Sequence, residues 1–128
     1  MTTVLVCLVI AMFLPIVAKA PVAWAMNKEG GYDNAHPRTQ QATLTGLGAR
    51  ALAAHQNAFE ALIFFTPAVA IAVMTNQVSS NVEWAAIGFV AMRVLYNILY
   101  LINQHTLRSV SWGIGMVCCF YIAIQAVV

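Results

Sequence analysis

The chain has 128 residues, 62% of them hydrophobic and only 8% charged, with a mean hydropathy of +0.80. A water-soluble domain of this size has too much surface to hide so many apolar side chains, which excludes an ordinary soluble enzyme and calls for one lipid-covered domain. The net charge of +2 comes with no basic tract or interleaved aromatic stripe, so no nucleic-acid partner is expected.

Four apolar segments follow one another. The first covers residues 3–26 and contains Pro15, expected to kink or loosen a turn. Lys19 lies near its end and can extend its ammonium toward the headgroups. Ala18-Lys19-Ala20 imitates a signal-peptide cleavage site. No positive charge precedes the apolar run, however, and Pro21 would follow the cut, so a first membrane helix is the better reading. Residues 27–41, rich in glycine and charge, read as a true loop.

The second apolar segment covers residues 58–74, with helical periodicity starting near residue 43. The third covers 82–103 and the fourth 107–128. Each approaches the roughly 20 residues that cross a bilayer. The short links between the last three favour antiparallel neighbours. The predicted fold is therefore all-α, an integral-membrane four-helix bundle running up-down-up-down.

Lys28, Arg38, Arg50 and Arg108 all fall on the side of the long loop, whereas the other side carries Glu83 and no lysine or arginine. Positive residues gather in the cytoplasm, so the 27–41 loop is expected inside and both termini opposite. Trp24, Trp84 and Trp112 lie near segment ends, as interfacial anchors do. Cys7, Cys118 and Cys119 sit within apolar runs and read as small buried side chains, with no metal-binding spacing.

The chemistry concentrates in the second and third segments. His55, Asn57 and Glu60 fall within six residues of an apolar helix. Ionisable groups at membrane depth mark functional sites by default. At about 100° per residue, Arg50, Asn57 and Glu60 share one face, while His55 lies about 140° from Arg50, placed to serve a neighbouring helix or a backbone carbonyl. On the third segment Arg93, Tyr96, Asn97, Tyr100 and Asn103 occupy one arc of about 120°. Such a stripe should face protein or a water-filled cleft. A structural alternative stands beside this: Arg93 and Glu60 as a buried ion pair, Asn57 as an interhelical hydrogen bonder, the tyrosines as packing groups. No nucleophile elbow, paired carboxylates or phosphate-cradling loop is present. Gly113 and Gly115 are expected to allow close helix approach.

The stretch Arg50-ALAA-His55-Q-Asn57-AF-Glu60 resembles the second-helix signature of the membrane-associated proteins in eicosanoid and glutathione metabolism, the MAPEG family. Arg93-VL-Tyr96-NIL-Tyr100 and Arg108-Ser109 are similar to its third- and fourth-helix signatures. The resemblance covers essentially the whole chain. It implies a homotrimer with glutathione bound between subunits near the cytoplasmic side. By that resemblance Asn57 and Glu60 hold the glutathione backbone, with Glu60 at its amino group. Arg93, Tyr96 and Tyr100 line the same site, and Arg108 is the catalytic cation beside the thiolate. Arg50 stands one turn before Ala53, where many members carry an arginine, as a candidate substitute. Ala61 replaces an aromatic of several members, and the third link lacks a common proline. These departures resemble the divergent bacterial branch, which implies the inner membrane.

Two functions follow from the resemblance. One is a glutathione-dependent transferase or peroxidase acting on lipophilic small molecules. The other is a non-enzymatic protein of the same fold, binding lipid or a hydrophobic ligand or serving as an accessory subunit. Ala53 favours the second; Asn57, Glu60, Arg93, Tyr100 and Arg108 favour the first.

Overall fold

The computed structural model describes residues 1–128. It is built only of helices: α1 (Thr2–Lys28), α2 (Pro37–Ala42), α3 (Gly46–Met74), α4 (Ser80–Leu101) and α5 (His105–Gln125). All but α2 are long and apolar enough to cross a membrane. Their outer surfaces carry large exposed apolar side chains, among them Phe13, Ile63, Val117 and all three tryptophans. Lipid-facing helices have this surface; soluble bundles do not.

The boundaries differ from expectation for local reasons. Pro37 opens α2 within the expected loop, because its fixed φ suits the first turn of a helix. Gly46 takes a φ of +54°, which separates α2 from α3, so the long helix starts there rather than near residue 43. The loop is stitched by one side chain. Gln40 Nε2 donates to the carbonyls of Met26 and Gly31, at 3.1 and 2.8 Å, while its Oε1 accepts from the Asp33 amide at 2.9 Å.

Two asparagines end the next two helices. Asn76 and Asn103 adopt φ of 56° and 63°, and the amides of Gln77 and Gln104 donate back to Ala72 and Leu99 at 3.0 and 2.9 Å. This is the Schellman closure, which favours Gly or Asn at the left-handed position. Asn103 therefore terminates α4 and does not extend its polar stripe. The following helix α5 starts at His105, two residues earlier than expected. Ser79 sets the start of α4, its hydroxyl accepting from the Val82 amide at 3.4 Å.

The helices run up-down-up-down. The Met1 ammonium lies 2.5 Å from Glu83 Oε1, tying the start of α1 to the start of α4. Around the bundle α1 packs on α3 and α4, and α5 packs on α4 and α3; α3 and α4 also meet across the middle, whereas α1 and α5 do not touch. The contact across the middle depends on small residues. Ala51, Ala54, Ala58, Ala61, Phe65, Ala68 and Ala72 repeat at alternating steps of three and four along α3 and are all buried. A seam of alanines lets helix backbones approach closely. Within this run Phe65 stacks on Phe89 of α4, with ring centroids 4.0 Å apart.

Close approach recurs elsewhere. A Cβ on Gly48 would meet Ala25 Cβ at 3.0 Å, so α1 and α3 are pinned together there. Gly115 packs against α4 beside Met92, as expected, but Gly113 faces open space. Cys7 and Cys119 are buried and Cys118 is half-buried.

Candidate functional site

The alanine seam brings Asn57 of α3 against Arg93 of α4. Arg93 is 3% exposed, and its Nη2 donates to Asn57 Oδ1. The Asn57 amide nitrogen donates in turn to Glu60 Oε2 at 2.7 Å. The direct Arg93–Glu60 ion pair of the structural alternative is therefore replaced by a relay through Asn57. An amide suits this post because it accepts at one end and donates at the other.

The line continues on the other side of Arg93. Its guanidinium lies 4.2 Å above the Tyr96 ring centroid. Tyr96 meets Tyr100 edge to face at 5.5 Å, and the Arg108 guanidinium lies 4.1 Å above the Tyr100 ring. Six side chains from three helices thus form one unbroken contact line, from Glu60 through Asn57, Arg93, Tyr96 and Tyr100 to Arg108. Stacking on a tyrosine face holds a guanidinium in place while leaving its N–H groups free.

The members differ in what they can reach. Arg93 and Tyr96 are buried, so they are held firmly and support their more open neighbours. Asn57, Tyr100 and Arg108 are half-buried, and Glu60 is exposed. Arg108 is held at the start of α5, where Ser111 Oγ donates to its carbonyl at 2.8 Å. The two ends of the line are a carboxylate and a guanidinium, complementary to a zwitterionic ligand.

Depth follows from helix rise. Glu60 is 14 residues before the end of α3, about 21 Å at 1.5 Å per residue. Arg93 is 13 residues into α4, about 20 Å by the same rise. Arg93 and Glu60 therefore lie inside a hydrocarbon layer about 30 Å thick. Tyr100 and Arg108 lie nearer the end of the bundle that carries the long loop. The line descends from a membrane surface into the bundle.

The other expected residues fall elsewhere. Arg50 Nη2 donates to the Leu101 carbonyl at 3.4 Å, joining the start of α3 to the end of α4, where a cation complements the helix dipole. It lies off the Glu60–Arg108 line. His55 Nδ1 donates to the Pro15 carbonyl of α1 at 2.8 Å, so it serves a backbone carbonyl on a neighbouring helix. Asn97 donates to the Arg93 carbonyl at 2.9 Å. The alanine seam was missed in the sequence. Spacing alone could have found the seam, since its steps of three and four are those of a packed helix.

The line is buried at its centre, Arg93 and Tyr96, and open toward its ends. Cavities of about 500, 230 and 10 Å³ include none of Glu60, Tyr100 or Arg108, and Arg93 lines the smallest of the three. Beside Glu60, α3 exposes Phe59, Ile63 and Phe64.

A family model described as the MAPEG family matches residues 3–128. No curated protein and no solved structure matches the chain.

Proposed function

Because the chain belongs to the MAPEG family, we propose that it is a glutathione-dependent membrane enzyme acting on lipophilic electrophiles. The observation that carries this reading is the contact line itself, which sets an accessible carboxylate and an unpaired guanidinium at opposite ends of a rigid support. Glutathione offers an ammonium, two carboxylates and a thiol. Glu60 pairs with the ammonium, Asn57 fixes Glu60, and Arg108 meets the sulfur.

The thiol of glutathione is an ordinary one, with a pKa near 8.5, and only a few per cent is ionised at neutral pH. A fixed cation beside the sulfur favours the thiolate, and the released proton passes to water. In conjugation the thiolate forms a carbon–sulfur bond to the electrophile, and the leaving group departs with the bonding electrons. Arg93 and Tyr96 act as positioning residues: they hold Asn57 and Tyr100, which hold Glu60 and Arg108.

The same reading includes a homotrimer. A carboxylate exposed in the middle of an apolar helix is costly in lipid. A neighbouring copy laid over α3 removes Glu60 from lipid and closes the line's open ends into a pocket. The enzyme then sits in the inner membrane, with the 27–41 loop in the cytoplasm where glutathione is held reduced.

Ala53 supports the non-enzymatic alternative, because α3 offers no cation one turn before Asn57 to hold a ligand carboxylate. Calorimetry of detergent-purified protein with glutathione, followed by conjugation of a lipophilic aryl halide, decides between them. Binding with turnover supports the enzyme; a folded protein that does neither leaves the fold with a structural or lipid-binding role.

A further inference from the structure

Pro15 interrupts α1 within the membrane. It is buried and carries no N–H, so the Ala11 carbonyl one turn earlier loses its regular helical donor. Ala11 is 3% exposed and shares the inward face of α1 with Pro15. A backbone carbonyl without a donor is costly in hydrocarbon. Proline is tolerated in a membrane helix where a side chain or an ordered water takes the place of the missing N–H. His55 serves the carbonyl of Pro15 itself, at 2.8 Å, and that bond does nothing for Ala11.

A second unpartnered group lies across from this break, on α4. Arg93 is 3% exposed. Its Nη2 donates to Asn57, whereas its Nε–H has no partner. A buried donor of a charged group carries a large penalty when it is left unsatisfied. Between the two helices lies a cavity of about 10 Å³, lined by Arg93 and six apolar residues. Among them are Ala11 of α1, Ala58 and Ala61 of α3, and Phe89 of α4. A space of about this volume holds one water, provided that two or more polar groups meet it. Arg93 is the only polar side chain in the wall, and the freed Ala11 carbonyl supplies a complementary acceptor.

The two groups converge in height. The Met1–Glu83 contact sets the starts of α1 and α4 at one end of the bundle. Ala11 is nine residues beyond Thr2, about 14 Å along α1. Arg93 is 13 residues beyond Ser80, about 20 Å along α4. Helical carbonyls point toward the C-terminus of their helix, and side chains lean toward the N-terminus. The Ala11 carbonyl therefore points toward the level of Arg93, and the Arg93 side chain leans back toward Ala11. Both lie in the middle of a hydrocarbon layer about 30 Å thick.

We propose that this cavity between α1, α3 and α4 is the binding site of one ordered water, which accepts from Arg93 Nε and donates to the Ala11 carbonyl. The water bridges α1 to α4 at mid-membrane. It holds the guanidinium at Nε while Asn57 holds it at Nη2. Pro15 thereby joins the support of Arg93, because it frees the acceptor that keeps the water in place. Two groups that would each be unsatisfied in hydrocarbon are satisfied together. The inference concerns the protein without ligand and stands whether or not glutathione binds.

The test is NMR of the arginine Nε–H groups in the isotope-labelled full chain in detergent, with the Arg93 signal assigned by its loss in Arg93→Lys. Wild type should show a through-space contact between the Arg93 Nε–H and water, with the exposed Arg38 as the positive control. Pro15→Ala returns an N–H to the Ala11 carbonyl and should reduce the contact at Arg93 several-fold. Ala58→Ser sets a hydroxyl in the place of the water, and Ala58→Cys sets a group of similar shape that hydrogen-bonds only weakly. Both should lose the water contact, and the thermal midpoint should fall further in Ala58→Cys than in Ala58→Ser. Absence of the contact at Arg93 in a sample that shows it at Arg38 would overturn the proposal. So would an undiminished contact in Pro15→Ala, which would remove Ala11 from the site. An Ala58→Cys variant at least as stable as Ala58→Ser would mark a dry cavity and overturn it as well.

Discussion

Asn57 stands between Arg93 and Glu60, accepting from the guanidinium on one side and donating to the carboxylate at 2.7 Å on the other. This joins a charge buried at the bundle centre to a charge on its surface. Its carboxamide carries an acceptor and a donor in one short, planar group. Asn57→Leu leaves the Arg93 guanidinium buried without its partner, which costs about 3 kcal/mol or more. The thermal midpoint of the variant in detergent should fall clearly. Asn57→Asp keeps an acceptor for Arg93 but sets a second carboxylate beside Glu60, so it should stay folded and lose glutathione binding in a titration.

Glu60 is the exposed end of the line, and its change should affect binding more than chemistry. Glu60→Gln removes the charge partner of the ligand ammonium. A hydrogen bond to a charged group is worth about 1.5–3 kcal/mol, so calorimetry should show glutathione binding weakened about tenfold or more. Turnover at saturating glutathione should change little, because the interaction does not strengthen at the transition state.

Tyr100 supports Arg108 through its ring face, with the guanidinium at 4.1 Å. The ring and not the hydroxyl makes this contact. Tyr100→Phe should therefore keep most of the turnover, while Tyr100→Leu releases Arg108 and lowers it. Parallel kinetics of the two variants check this; equal loss in both would assign the role to the hydroxyl.

The helix packing yields a prediction independent of any ligand. Gly48 has room for no side chain, because a Cβ there would meet Ala25 Cβ at 3.0 Å. Gly48→Leu should force α1 away from α3 and destabilise the fold by about 1–3 kcal/mol, as overpacking does. Gly113→Leu, at an open position, should be tolerated. Thermal unfolding of the two variants gives the comparison.

Assembly is tested by native mass spectrometry in mild detergent, where three copies per particle are expected. A well-folded monomer would leave Glu60 facing lipid and remove the reason given for a trimer.

Much of this was legible in the sequence because membrane helices impose strong patterns. Four apolar runs between polar links define the bundle, and one polar arc on the third run brings Arg93, Tyr96 and Tyr100 together. The off-face angle of His55 anticipated its bond to Pro15. Three features were not legible. Helix angles place Arg93 and Glu60 on facing surfaces, but only the alanine seam sets the distance that makes Asn57 the bridge. Asn103 fits the arc by angle, yet the chain leaves the helix there, since a left-handed cap overrides periodicity. Arg50 shares a face with Asn57, but two turns of helix carry it to the end of α4.

Arg108 as the cation beside a thiolate is the central functional claim, and ultraviolet thiolate absorbance of bound glutathione tests it most directly. Wild type at neutral pH should show a thiolate band on binding glutathione. Arg108→Ala should still bind the tripeptide but lose most of the band; a cation that lowers the thiol pKa by about 2 raises the thiolate fraction roughly 25-fold. Wild-type protein that forms no thiolate with millimolar glutathione, or an Arg108→Ala variant with an undiminished band, would contradict the account.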